Sequence, residues 1–353
     1  FPDQSKYILN VIIVRDNYFT LIGDIFRGDW ESFHHKFDLI QGIQYKPVRY
    51  SSLIIASTPI PFIETLRSLG FFSKFIFVTW FIYLITYKKK FNQNENYYYY
   101  LILISPSILI YSSIALKEIY ILIFFHLCMF FILQRKLIFF IISLCFLSIL
   151  RFELLMIVGI FSIVYIFAFY DFSGNKIFRY KKNLSKFLIL ISTLIVAIIF
   201  IDGSFPLREY LNSFVERVNS MKIGYHMEGD ITSELNLYSH DFSIIPMIKD
   251  LFSAILSPTF SKSGSIFLNF FIIENYLLII LFISYLIILS KYNLLKPIFY
   301  LTFFLILNFS VGIFVINDMA IYRYKITMLI PLVLIIREEI LNYKNENIIF
   351  NKS

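Results

Sequence analysis

With 353 residues, a formal net charge of +8, 58% hydrophobic and 20% aromatic residues but only 16% charged ones, this chain is far too apolar for an ordinary soluble domain. Its mean hydropathy is +0.72, and runs of about 17–20 nearly uncharged residues recur, each long enough to cross roughly 30 Å of hydrocarbon. A soluble enzyme is thereby excluded, and nucleic-acid binding is not implied by the positive charge, most of which falls in short loops where it sets membrane orientation.

In chain order, the first 70 residues, more polar than the runs that follow, form an expected outer loop. The chain opens on Phe1 with no initiator Met, signal peptide or first span, so it reads as a piece whose topology calls for an upstream span. Asp3 and Tyr7 stand four apart and share a face if this stretch is helical. A carboxylate just outside a lipid-embedded core is a candidate general base toward a sugar hydroxyl, although a solvated first-turn acid has the same spacing. Asp16, within Arg15-Asp16-Asn17-Tyr18, is a rival for that role. Asp24, Asp29, His34 and His35 follow, but their spacing matches no standard metal site, so no metal or other cofactor is expected. Leu53 to Ile63 is apolar but short and contains Pro59 and Pro61, as suits a juxtamembrane or re-entrant element.

Spans are expected at about 71–87, 97–114, 117–133, 136–150, 152–170, 186–202, 271–289, 297–317 and 324–338, about nine in all. Lys88-Lys89-Lys90, Arg135-Lys136, Lys176 to Lys186, Lys291 with Lys296, and the tail from Arg337 all fall on the cytoplasmic side if residues 1–70 and the C-terminus lie on opposite faces. The chain thus divides into an outer first loop (1–70), a first part of the bundle (71–202), a second outer segment (203–270), a last part of the bundle (271–338) and a cytoplasmic tail (339–353). Tyr97 to Tyr100 then sit at the inner interface. In the second outer segment, Leu207, Leu211, Phe214, Val215 and Val218 share one face of an expected amphipathic helix, and Gly224 to His240 is loop-like. Cys128 and Cys145 lie inside apolar runs and read as buried packing residues with no disulfide framework.

Threaded in this way, Lys117-Glu118, Arg151 with Glu153, and Arg323 with Lys325 reach the same outer level of the membrane. Structural cations are favoured on the other side. Arg and Lys at that level are candidates to hold a phosphate or diphosphate, with snorkelling anchors as the alternative. Lys117 and Glu118 separate two spans by almost nothing, which places them within the bundle. Glu274, beside Asn275 and following Ser257-Pro258, is costly at that level unless paired, and a salt bridge to one of the cations is expected.

These stretches together resemble the bacterial polyprenyl-linked glycosyltransferases of the GT-C superfamily and related multi-span proteins of surface-polysaccharide gene clusters. Phe1 to Tyr7 is similar to the acidic first outer loop that carries the catalytic Asp. Ser105-Pro106-Ser107, Ser112-Ser113 and Lys117-Glu118 are similar to a Pro-Ser…Ser-Ser…Lys-Glu/Asp pattern. Leu150-Arg151, Ser257-Pro258 with Glu274-Asn275, and Tyr322 to Lys325 before Pro331 follow in the expected order. The likeness implies an all-α transmembrane bundle of GT-C type in a bacterial inner membrane, with juxtamembrane helices in the first outer loop and its active face outward. The substrates implied are a polyprenyl-phosphate-linked sugar and a glycan or lipid-linked acceptor, with membrane lipid as surrounding partner. Asp3 or Asp16 would be the base, with Tyr7, Lys117, Glu118, Arg151, Arg323 and Lys325 binding substrate. A repeat-unit polymerase would use similar cations. A flippase would show internal symmetry and Gly- or Pro-broken helices, of which there is little sign.

Overall fold

The computed structural model describes residues 2–38, 66–89, 105–113, 117–169, 244–258, 266–314 and 318–350, with positions 52, 56, 216, 219 and 220. The described residues are all-helical, with no strand. The expected span at 186–202, the amphipathic helix near 206–218, the Gly224 to His240 loop, Tyr97 to Tyr100 and nearly all of Leu53 to Ile63 lie outside them.

The chain forms two compact units. The first comprises Phe1–Cys128 and Leu137–Leu155. It opens with three packed helices, α1 (Pro2–Asp16), α2 (Tyr18–Arg27) and α3 (Trp30–Asp38), and α1 also packs on α4 (Leu66–Lys89). Gly28 ends α2 in the left-handed conformation (φ 72°), where its N–H returns to Ile25 O and that of Asp29 to Asp24 O. Asp29 then caps α3 through Oδ1, which accepts from Ser32 N at 3.0 Å. Helix α5 (Pro106–Ser113) begins where Ser105 Oγ accepts from Ile108 N at 3.3 Å and Pro106 supplies a preset first position. α5 packs on α4 so closely that a Cβ on Gly70 would overlap the Ser113 carbonyl oxygen. Helix α6 (Glu118–Leu133) starts in this unit, and α7 (Leu137–Leu150) belongs to it.

The second unit comprises Met129–Lys136 and Met156–Ser353. Arg135 takes the left-handed conformation (φ 59°) after α6, with Lys136 N bonded to Phe131 O and Arg135 N to Ile132 O, so a residue with a Cβ stands where glycine is usual. The unit holds most of α8 (Phe152–Phe169), then α9 (Ile244–Leu256), α10 (Ile266–Ser290), α11 (Leu295–Phe314) and α12 (Asp318–Phe350). α12 packs on α9, α10 and α11, and α9 on α11. Asn293 Oδ1 accepts from Leu295 N at 2.9 Å and so caps α11.

Among the described residues, two helices are long and apolar enough to cross a membrane, over Asn269–Ser290 and Leu295–Gly312. α5 and α6, bent by 114° between them, have the length and composition of a broken span or a re-entrant loop. Helices α4, α7 and α8 carry shorter apolar stretches, Gly70–Thr86, Leu137–Leu150 and Leu154–Phe169. The polarity of the surface is inverted relative to a soluble protein. Phe270, Ile273, Leu277, Ile280 and Ile287 form an exposed stripe along α10, while Glu274, Asn275, Asn308, Lys325 and Glu339 are buried. That distribution suits an outer face in contact with hydrocarbon.

Two expectations are corrected. Cys145 is exposed on α7, because its helix turns Phe140, Ser143 and Leu147 inward instead; Cys128 is buried, and both thiols are free. The last helix does not stop at 338 but runs to Phe350, with Arg337 and Glu339 buried, since partners from other helices meet it there.

Candidate functional site

The expected base candidates occupy opposite ends of one helix. Asp3 lies in the first turn of α1 and Asp16 is its last residue, exposed; thirteen steps at about 1.5 Å separate them by roughly 20 Å. Tyr7 falls one turn after Asp3 on the same helix. Asp24, one of the weak metal candidates, is instead an ion-pair centre. It is buried between Arg27 Nη2 at 2.9 Å and Lys36 Nζ, and the Lys36 hydrogen bond holds its carboxyl below the usual value against the opposing effect of burial. Among the described residues no group of His, Cys, Asp or Glu is placed to hold a metal ion.

In the first unit, Lys117 immediately precedes α6 and its carbonyl accepts from Ile121 N at 3.0 Å, while Glu118 opens the helix. Both are buried, at 5% and 1% exposure. An acid in a first turn is favoured by the helix dipole, which suits Glu118 to the start of α6. Arg151, half-buried, joins α7 to α8, and Glu153 falls in the first turn of α8. A cation that sequence reasoning had not singled out contacts the hydroxyl-rich end of α5. Lys74 of α4 donates to Ser112 Oγ at 2.9 Å, with Ser113 Oγ and Leu109 O each at 3.4 Å. Its signal was visible as the one cation inside the apolar run 71–87. Below it on the same helix, Ser73 Oγ meets Tyr120 OH at 3.2 Å, and Trp80 stacks edge-on against His126.

The second unit places the Ser257-Pro258, Glu274-Asn275 and Tyr322 to Lys325 motifs together. The carbonyl end of α9 is clasped from two helices. Lys325 Nζ of α12 donates to Ala254 O at 3.0 Å, Ile255 O at 2.8 Å and Ser257 O, and Asn275 Nδ2 of α10 reaches Leu256 O at 3.3 Å. A cation at a helix C-terminus meets carbonyls that have no intrahelical partner. An ammonium has three donors, and these three contacts direct all of them to backbone, so Lys325 holds the end of α9. Glu274, expected in a salt bridge, accepts from Tyr322 OH at 2.8 Å, and Tyr322 also stacks with Phe271. Arg323 is half-buried, with Nη2 3.4 Å from Tyr324 OH and its guanidinium 5.2 Å from that ring's centre. α9 was not foreseen, although Ile248, Leu251, Phe252 and Ile255 carry its 3–4 spacing.

A second buried cluster of this unit was read only as loop charge. Lys296 pairs with Glu339 at 2.7 Å; Tyr165 OH donates to the same carboxylate oxygen, and the Tyr165, Phe169 and Tyr343 rings surround the ammonium at 5.0–5.6 Å. Buried Tyr300 adjoins it.

No protein-family model, curated protein or solved structure matches the chain.

Proposed function

We propose that the chain is an integral membrane glycosyltransferase-like enzyme that moves a sugar from a polyprenyl-phosphate donor to a surface glycan or its lipid-linked precursor. The observation that carries this is the buried Lys117-Glu118 pair at the head of apolar α6, directly after the hydroxyl-rich α5. Ionisable side chains buried at the head of an apolar helix support a functional reading by default. The full bundle is taken to have about nine spans in a GT-C-like arrangement in a bacterial inner membrane, facing outward. The acceptor hydroxyl would attack the anomeric carbon as its bond to the phosphate oxygen breaks. Asp3 or Asp16 would take the hydroxyl proton, and the polyprenyl phosphate would leave with the bonding pair, inverting the anomeric carbon. Tyr7 and Glu118 would line the substrate path. Lys117, Arg151 and Arg323 would offset the charge growing on the leaving phosphate, an effect that is largest where water is excluded.

The test is mass spectrometry of lipid-linked intermediates in a strain lacking this gene. Glycans short of one or more sugars, with a polyprenyl-phosphate sugar accumulating, are expected. Accumulation of complete single repeat units would replace transfer with repeat-unit polymerisation and remove the base role of Asp3 and Asp16.

A further inference from the structure

We propose that Lys74, Ser112 and Ser113 form a binding site for a phosphate group. The site stands on its own geometry and does not depend on glycosyl transfer. Lys74 projects from an apolar stretch, Gly70–Thr86, where an ammonium is costly near the middle of a membrane and less so toward its edge. Such a charge calls for a counter-charge, yet among the described residues its partners are all neutral oxygens: Ser112 Oγ, Ser113 Oγ and Leu109 O.

The chemistry of those partners separates Lys74 from Lys325. Lys325 is 2% exposed and bonds three carbonyls, which can only accept. Lys74 is half-buried, its carbonyl contact is long, and its other two partners are hydroxyls. Both hydroxyls now donate to Leu109 O, Ser112 at 3.1 Å and Ser113 at 2.8 Å. A hydroxyl proton rotates freely, so that of the exposed Ser113 can turn from the carbonyl to an incoming anion. Ser112 is fully buried and supports the ammonium, which leaves Lys74 and Ser113 as the donors for the oxygens of a phosphate.

The frame beneath these groups is rigid. Gly70, one turn before Lys74 on α4, abuts the Ser113 carbonyl with no room for a Cβ, and Ser105 and Pro106 fix the start of α5. The site is open, because Ser113 is exposed. Its surroundings are apolar, with Phe71 74% and Phe75 56% exposed on the same helix, which favours a phosphate carried on a lipid over a free ion.

The test uses the full chain purified in a maltoside detergent, which carries no phosphate. Binding of a long-chain polyprenyl monophosphate and of phosphatidylglycerol is measured by native mass spectrometry, and inorganic phosphate is added as competitor. Wild type should retain at least one of the lipids, and Lys74→Gln should weaken it about tenfold or more, the scale of one charge-assisted hydrogen bond. Lys74→Arg should keep most of the affinity. Ser113→Ala, at an exposed position, should weaken binding a few-fold and serves if Lys74→Gln does not fold. Displacement by millimolar inorganic phosphate would assign the site to free phosphate, and resistance to it to a lipid headgroup. The proposal is overturned if wild type holds neither lipid and is not stabilised by phosphate, or if folded Lys74→Gln and Ser113→Ala both bind as wild type does.

Discussion

Replacing Glu339 with glutamine should destabilise the second unit by about 3–5 kcal/mol, the range for stranding one member of a buried ion pair. The pair is well suited to show this. Lys296 Nζ and Glu339 Oε1 are 2.7 Å apart, with side-chain exposures of 12% and 2%, so water screens neither charge well. Glutamine keeps the shape of Glu339 and can still accept from Tyr165, which leaves the charge as the main loss. The three rings around the ammonium soften the loss, each cation–π contact being worth about 0.5–2 kcal/mol, and this moves the expected cost toward the lower end. Lys296→Met should cost a similar amount by stranding the carboxylate. The double variant Lys296→Met/Glu339→Gln should return to within about 1 kcal/mol of wild type, because a neutral pair has no desolvation to offset. The assay is reversible unfolding of the detergent-solubilised protein, closed as a double-mutant cycle. A coupling of about 2 kcal/mol or more is expected. Strictly additive single effects, or single costs below about 1 kcal/mol as for an exposed pair, would refute the reasoning.

On the proposed reading Arg323→Ala should abolish sugar transfer while gel filtration and thermal unfolding stay near wild type, since the side chain is only half-buried beside the Tyr324 ring; unchanged transfer would end its phosphate role. Gly70→Ala should force α4 from α5 by overlap with the Ser113 carbonyl and cost about 1–3 kcal/mol, the range for overpacking, read as a lowered unfolding midpoint. Asp24 makes an acid-side prediction. Its folded pKa lies below the unfolded value of about 3.8, so its stabilising contribution is complete above that value and is lost as pH falls through the folded pKa. Fluorescence of Trp30, which begins α3, should report loosening of the α2–α3 pair below about pH 4, and Asp24→Asn should show no such step.

The all-helical class was legible in composition and run length, and so were several boundaries. The runs 136–150, 152–170 and 271–289 appear as helices Leu137–Leu150, Phe152–Phe169 and Ile266–Ser290. What escaped depended on contacts distant in sequence. α9 is thirteen residues with a proline near its start, set in a polar segment, and its C-terminus is held by Lys325, 70 residues away, and by Asn275. Local pattern carries no trace of such clamps. Lys296 was read as an orienting loop charge because it stands with Lys291 between two expected spans; its partner Glu339 is 43 residues on, past the expected end of the last span. Cys145 was misjudged for a different reason. In an apolar run every position has the composition of a core, and only packing decides which face turns outward.

The same limit explains why the cations could be found in the sequence but not told apart. Each lysine in an apolar helix must place three N–H donors, and sequence fixes only where the lysine stands. Lys325 gives its donors to carbonyls at the end of α9, groups that would otherwise be left without partners. Lys296 is bound to a carboxylate and a phenol inside an aromatic cage, so releasing it would strand a buried charge. Lys74 rests on two serine hydroxyls, of which that of the exposed Ser113 can turn from its carbonyl to another acceptor. Of these three lysines, Lys74 can therefore exchange its partners for an anion at the least cost, and its site, unlike the other two, opens on an exposed serine.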